Sequence, residues 1–344
     1  MANIKLLEQL CVLPGVSGRE EPVRDFILAQ ITPFADSVTV DAMGNIIAEK
    51  KGAQPAKTKL MLNAHMDEVG LIVTHIDENG YLKFATVGGI DKRVLCGRSV
   101  TVGNGVSGVI GAKPVHLLKG EEKGKAVPLD DLYLDIGANS RAEAEKVVSL
   151  GDTVCFYSEF DAQNGMIYGR ALDDRVGCAI LIEMIQGDLP YDMTFVFCVQ
   201  EEVGTRGSKT AAYRVNPQAA IVVETTTAAD IAGVRPEKQV CNLGKGPVLS
   251  FMDKGTIYDR AYYCLALELA KQERLPCQVK QAVAGGNDAA AIHTSRAGVR
   301  TVAVSLACRY LHAATGQIAQ TDFDAAQKLV QKLAERIAGS APQE

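Results

Sequence analysis

The sequence has no tryptophan, no Cys-x-x-Cys pair and no internal repeat or low-complexity tract. No apolar run reaches the ~18 residues that a membrane-spanning helix needs, which excludes such a helix. The nine cysteines are scattered and odd in number, so they read as reduced core residues of a cytoplasmic protein, not as a disulfide framework. Basic character is scarce: 36 Lys and Arg stand against 41 Asp and Glu, for a net charge of −5. No basic patch stands out, which argues against a nucleic-acid partner. The start of the chain, Met1 to Glu8, lacks a long apolar segment after a basic opening and is expected to form a helix, not a secretory leader. The pattern GxxxxGK[ST] is missing, so Gly285-Gly286-Asn287-Asp288 is not a phosphate-binding loop; it reads either as an active-site loop or as a turn with a cap, ahead of an Ala-rich helix.

What is present is apolar mass with acids and histidines at its edges. Hydrophobic residues fill 47% of 344 positions, ample for one large domain or two smaller ones. Four apolar runs each lead into a residue able to bind a metal. Lys59 to Ala64 leads into His65-Met66-Asp67. Met193 to Gln200 leads into Glu201-Glu202. Ala219 to Val223 leads into Glu224, and Thr301 to Leu306 is followed shortly by His312. Such runs, rich in β-branched residues, read as buried parallel strands. Ligands of open α/β sheets gather at the carboxyl ends of the strands, so one metal site built by the whole sheet is expected.

Two textures divide the chain. Residues 1–68 alternate helical and strand patterns, with an amphipathic stretch from Val23 to Ile31 and a hairpin turning through Met43-Gly44-Asn45. From 69 to 165, short strands recur every 8–12 residues between turns such as Asn79-Gly80 and Gly103-Asn104-Gly105, the rhythm of a small all-β barrel or sandwich. Its only helix is expected at Glu143 to Val148. Helix and strand then alternate again, with clear helices at Arg175 to Ile185, Tyr258 to Arg274 and Phe323 to Ile337, the last capped by Thr321. The expected fold is α/β: a mixed sheet flanked by helices, formed by residues 1–68 and 166–344, with a small β domain of residues 69–165 inserted.

Several acids and histidines carry candidate chemistry. On a strand, His65 and Asp67 share a face, so His65 can ligate while Asp67 orients its ring. Of Asp173 and Asp174, one caps the following helix and the other can bridge two ions with its two oxygens. Adjacent carboxylates at Glu201 and Glu202 repel in a dry site unless cations are present; one then ligates and the other serves as general base. Glu224 at the edge of a buried run needs a partner. A mixed N/O set from His65, Asp173, Glu202, Glu224 and His312 suits Zn²⁺, Co²⁺ or Mn²⁺ better than Ca²⁺.

The motifs Ala64-His65-Met66-Asp67-Glu68-Val69-Gly70, Leu172-Asp173-Asp174-Arg175, Gln200-Glu201-Glu202-Val203-Gly204 and Arg309-Tyr310-Leu311-His312, in this order, resemble the dinuclear metal aminopeptidases that assemble into tetrahedral particles. That family includes glutamyl and deblocking aminopeptidases, and some relatives carry endoglucanase labels. The resemblance spans essentially the whole chain. It implies a dinuclear zinc peptidase-like fold with an inserted barrel, and two divalent metals per subunit. His65 and Glu224 would bind one metal and Glu202 and His312 the other, with Asp173 bridging. Glu201 would be the general base, with Asp67 supporting His65. The family usually carries Asp at position 224 and often Ser-Pro after the last His; here Glu224 and Ala313-Ala314 stand instead. The resemblance also implies a cytoplasmic homo-oligomer, a dodecamer with inward-facing sites, acting on short or unfolded peptides.

The expected activity is removal of N-terminal residues from peptides by metal-activated water. A related carboxypeptidase or amide deacylase, using Arg206, Arg235 or Arg309 to hold a carboxylate, is the alternative enzyme. A metal-stabilised peptide-binding scaffold is the non-enzymatic one. Lys92, Arg93 and Arg206 lie in or near these motifs; they either meet an acidic substrate side chain or pair with the protein's own acids.

Overall fold

The computed structural model describes residues 2–120 and 123–342. Met1, at the head of the expected N-terminal helix, lies outside them; the helix itself runs Ile4–Val12 with Asn3 capping Leu6 N–H. The four apolar runs form neighbouring parallel strands in the order Met193–Cys198, Leu60–His65, Ala219–Thr227 and Arg300–Cys308. Their β-branched and apolar side chains are buried on both faces, as a sheet covered by helices requires. The expected hairpin, Ser37–Val40 with Ile46–Lys50, extends one edge in antiparallel fashion. Val248–Leu249 and Gln278–Val279 complete the other edge of this eight-stranded mixed sheet.

Strand alternation decides which residues reach the site. Leu60, Leu62 and Ala64 point into the larger core with Phe195, Phe197, Ile221 and Val223. The helices Leu172–Gln186 and Gln320–Gly339 cover that face. Met61, Val196, Ala220, Val222 and Ala303 face the opposite core. By the same period, Asn63 and His65 fall on the Met61 face, and Glu224 on the Ala220 and Val222 face. The two candidate ligands therefore leave the sheet on one side, from adjacent strands.

Three expectations need correction. Glu224 does not end its strand, which continues to Thr227. Thr321 does not cap the last helix: that helix begins at Gln320 with no side-chain cap, and the buried Asp322 instead accepts from Gly244 and Gly246 N–H. The helix near residue 143 is Arg141–Ala144, with Ser140 accepting from Glu143 N–H, so it ends before Val148.

Six antiparallel strands between Gly70 and Phe156 close into a barrel with its own apolar core of Leu71, Val73, Leu82, Val100, Ile110, Leu134 and Phe156. Closure leaves no open edge. Asp161–Gln163 lies outside this barrel and pairs with Met166–Gly169, which in turn pairs with Gly316–Ala319.

A buried ionic knot ties the chain where the barrel departs and returns. Arg170 reaches Glu68 at 2.8 Å and donates to Phe156 O and Leu13 O. Arg175, fully buried, donates to Met66 O, Leu10 O and Leu13 O and faces Glu68 at 3.6 Å. Glu68 also accepts from Gly15 N–H. Arg175→Leu would leave Glu68 with Arg170 as its one guanidinium and would take a donor from the carbonyls of Leu10, Leu13 and Met66. Breaking a buried pair from one side costs about 3–5 kcal/mol, so urea unfolding should show the variant destabilised by that order. An unchanged midpoint would show the knot to be dispensable.

Candidate metal centre

At the carboxyl ends of the parallel strands, the other four predicted ligands gather around Asp173. His65 Nε2 lies 3.3 Å from Asp173 Oδ1 and 3.5 Å from Glu224 Oε1. His312 Nε2 lies 3.4 Å from the other oxygen, Asp173 Oδ2, and 3.3 Å from Glu202 Oε2. Each oxygen of one carboxylate thus faces a different histidine, and each histidine also faces a different glutamate, an arrangement that suits two cations sharing a bridge.

The second ring nitrogen of each histidine is held in place. His312 Nδ1 meets Gly89 O at 2.9 Å, a contact made across the start of the barrel. His65 Nδ1 meets Asp67 O at 3.1 Å and Asp67 Oδ1 at 3.4 Å. Holding Nδ1 as donor leaves Nε2 as the ligand atom. Asp67 also accepts from Ser17 Oγ, Glu201 N–H and Glu202 N–H. One buried carboxylate thereby fixes both the His65 ring and the backbone that aims the two glutamates.

Local strain accompanies this placement. Ala171, Gln200, Thr205, Tyr310 and His312 have φ between 51° and 58°, the left-handed region, in the turns that carry the site. Non-glycine residues there cost on the order of 1–3 kcal/mol each and are retained only where surrounding contacts enforce them.

Electrostatics agree with a cation site. Burial raises Glu202, with help from Asp173, to a pKa of about 8. Burial likewise raises Glu201 and Glu224 well above the carboxylate range, and neighbouring acids add to the effect. Burial opposes charge on His65, yet Glu224, Asp173 and Asp67 hold it well above its ordinary value. Burial also opposes charge on Asp173, but His312 and His65 hold it well below the usual range. Buried carboxylates this close together resist ionising side by side, a conflict that divalent cations would relieve, so the donor set fits a metal centre. His65, Asp173 and Glu202 place ligand atoms within 4.8 Å of one another, as do His65, Asp174 and Glu224.

Two further buried acids, Asp174 and Asp288, stand beside these ligands outside the five-residue set. Asp174 takes the helix-capping role, accepting from Gly177 N–H, and also accepts from His65 N–H. Asp288, at the end of the glycine-rich loop, accepts from Asn63 Nδ2 beneath the His65 strand. The Gly-Gly-Asn-Asp pattern was the available signal for Asp288. The arginines considered as carboxylate anchors are otherwise engaged or exposed. Arg309 makes a two-pronged pair with Asp230 at 2.8 Å, and Arg235 is exposed. Arg93 pairs with Asp91 and is exposed, and neither Lys92 nor Arg206 lines the cavity at the site.

Comparison with known proteins adds a family to this geometry. The M42 glutamyl aminopeptidase family matches residues 44–329. A putative aminopeptidase of Acetivibrio thermocellus is 38% identical over 327 residues, spanning 94% of this chain and 96% of that protein. The crystal structure of a TET aminopeptidase from a marine sediment Thaumarchaeota archaeon superposes with a TM-score of 0.92 at 36% identity, covering 97% of this chain and 96% of the other. PhTET1-12s, a dodecamer in its asymmetric unit, has a TM-score of 0.85 at 36% identity and covers 99% of this chain and all of its own.

Asp67→Asn would replace one accepting oxygen by a donor facing N–H groups or a hydroxyl. Loss of such a supporting contact typically weakens metal affinity about 10–100-fold. Competition against a chromogenic chelator should register that loss; unaltered affinity would remove Asp67 from the account.

Proposed function

We propose that this chain, which belongs to the M42 glutamyl aminopeptidase family and is a metal-dependent aminopeptidase, holds two divalent cations per subunit and uses Glu201 as its general base. The observation that carries the two-ion reading is the division of Asp173, one oxygen toward His65, which also meets Glu224, and the other toward His312, which also meets Glu202. Zn²⁺ or Co²⁺ suits this mixed N/O set best, with Mn²⁺ next. Glu224 keeps the carboxylate donor where the family usually has Asp.

Bound there, the cations would supply Lewis acidity, making water a nucleophile near neutral pH and polarising the scissile carbonyl. Glu201 lines the same cavity as the ligands, and its protonation is poised upward by burial. It takes a proton from the attacking water as the C–O bond forms. It then returns that proton to the amide nitrogen as the C–N bond breaks, leaving a free amino acid and a shortened peptide. Asp67 keeps Glu201 in place through the backbone N–H groups it accepts. The pairing of Arg309 with Asp230 favours this reading over a carboxypeptidase, because that guanidinium is already bound to a carboxylate.

The barrel's separate core supports assigning residues 69–165 to an inserted domain and 1–68 with 166–344 to the catalytic one. We also assign the chain to a homo-oligomer, a dodecamer as in PhTET1-12s, acting in the cytoplasm on short or unfolded peptides. No helix among the described residues is long and apolar enough to cross a membrane.

Chelation should abolish hydrolysis of free-amine peptides, and Zn²⁺, Co²⁺ or Mn²⁺ should restore it; full turnover by a verified metal-free sample would end the metal reading. Glu201→Gln should keep its metal and lose about 10²–10⁴-fold in kcat, whereas Glu202→Gln should lose metal. Metal analysis showing the opposite pattern would exchange the two roles. Light scattering at micromolar concentration should give a large assembly, and a fully active monomer would overturn the dodecamer.

A further inference from the structure

We propose that Glu20 is a positioning residue for hydrolysis: through the backbone of Gln200 it aims Glu201 and Glu202 at the metal centre. The inference rests on the reading of Glu201 as general base and adds a supporting residue to it.

Glu20 stands at the head of the helix Glu21–Ile31, where a side chain ordinarily caps the first free N–H groups. It makes no such cap. Its side chain turns inward instead, and the residue is only 5% exposed. Oε1 accepts from Gly18 N–H at 2.7 Å and from Gln200 N–H at 3.1 Å, the second bond joining positions 180 residues apart. Burial raises the Glu20 pKa to about 7; the Gly18 N–H opposes the rise and the nearby Asp67 carboxylate adds to it. Giving up a cap and desolvating a carboxylate both cost stability. What the structure obtains in return is a hold on Gln200.

Gln200 lies where the strand Met193–Cys198 gives way to the acidic pair. Its φ of 55° is left-handed, a conformation that a non-glycine residue keeps where contacts enforce it. Three successive N–H groups leave this turn toward two carboxylates. Gln200 N–H goes to Glu20, and the N–H groups of Glu201 and Glu202 go to the two oxygens of Asp67. On the carbonyl side, Gln200 O accepts from Arg206 N–H, and Glu201 O accepts from Gly204 and Thr205 N–H. The backbone that carries the base and a ligand is thus clamped on both sides. Asp67 also reaches the His65 ring, so its loss disturbs the histidine and the glutamates together. The Glu20 bond meets the turn at Gln200, so its loss loosens the acidic pair while Asp67 still holds His65.

The test uses the metal-loaded enzyme and a free-amine chromogenic amide. Glu20→Met keeps the side-chain volume and removes the acceptor, whereas Glu20→Gln keeps an acceptor oxygen at the same reach. Glu20→Met should lose about 10²-fold in kcat, the scale of a misplacement near 1 Å, with KM little changed. Glu20→Gln should stay within about fivefold of wild type, since a neutral acceptor replaces a charged one. Rates are taken per folded, metal-loaded subunit, so a loss of folded protein cancels. Added to Glu201→Gln, Glu20→Met should cost much less than it does alone, because a base that is gone cannot be misaimed. Wild-type kcat in Glu20→Met would overturn the proposal, as would an equal loss in Glu20→Gln or full additivity with Glu201→Gln. If Glu20→Met does not fold, Glu20→Asp, which withdraws the carboxylate by one methylene, takes its place with the same expectation. Full kcat in Glu201→Gln would instead remove the base on which the inference rests.

Discussion

The constraint on which the rest depends is charge compensation at the carboxyl ends of four parallel strands. Asp67, Asp173, Asp174, Glu201, Glu202, Glu224 and Asp288 gather about two histidines, and burial works against the ionised form of all seven. An apolar sheet does not tolerate that density of acid without cations or protons. The cost is offset locally: by histidine rings at Asp173, by backbone N–H groups at Asp67 and Asp174, and by Asn63 at Asp288. What remains uncompensated faces the cavity, where a metal and a substrate arrive.

Sheet geometry makes the gathering possible. Parallel pairing sets Cys198 level with His65 and Val222 level with Asn63, so strand ends from distant parts of the chain share one rim. Alternation then sends His65 and Glu224 out on one side. Because Glu224 sits three residues before its strand ends, its longer side chain works from inside the sheet. The turns beyond the strands accept left-handed backbone at Gln200, Tyr310 and His312. Strands thus carry His65 and Glu224, while the turns beyond them carry Glu202 and His312.

The barrel is more than an appendage to this arrangement. Gly89, just past a barrel strand, supplies the carbonyl that fixes His312, and the same glycine lines the cavity. At the opposite side of the insertion, Glu68, Arg170 and Arg175 lock the entering and returning chain. Movement of the barrel would be felt both at His312 and at the helix Leu172–Gln186, whose first turn carries Asp173. The other wall of the cavity is built by the chain around Asp253, Lys280 and the glycine-rich loop.

The sequence by itself determined the four buried strands, the hairpin, the barrel-like rhythm and the long helices, because apolar period and turn chemistry are local properties. It also singled out His65, Asp67, Asp173, Glu201, Glu202, Glu224 and His312, because charged residues beside apolar runs are costly unless they have a use. Helix Arg206–Val215 was harder to read, since its core face is mostly small: Gly207, Ser208, Ala211, Ala212 and Val215. Thr321 looked like a cap from its position alone, but the helix begins one residue earlier. Only the tertiary structure decided which oxygen of Asp173 faces which histidine, that Arg309 is taken by Asp230, and that Lys280 is buried in the cavity. Those are contacts between segments far apart in the chain, 79 residues for Arg309 and Asp230 and 108 for His65 and Asp173, set by sheet order and by packing, and no local pattern of side chains records them.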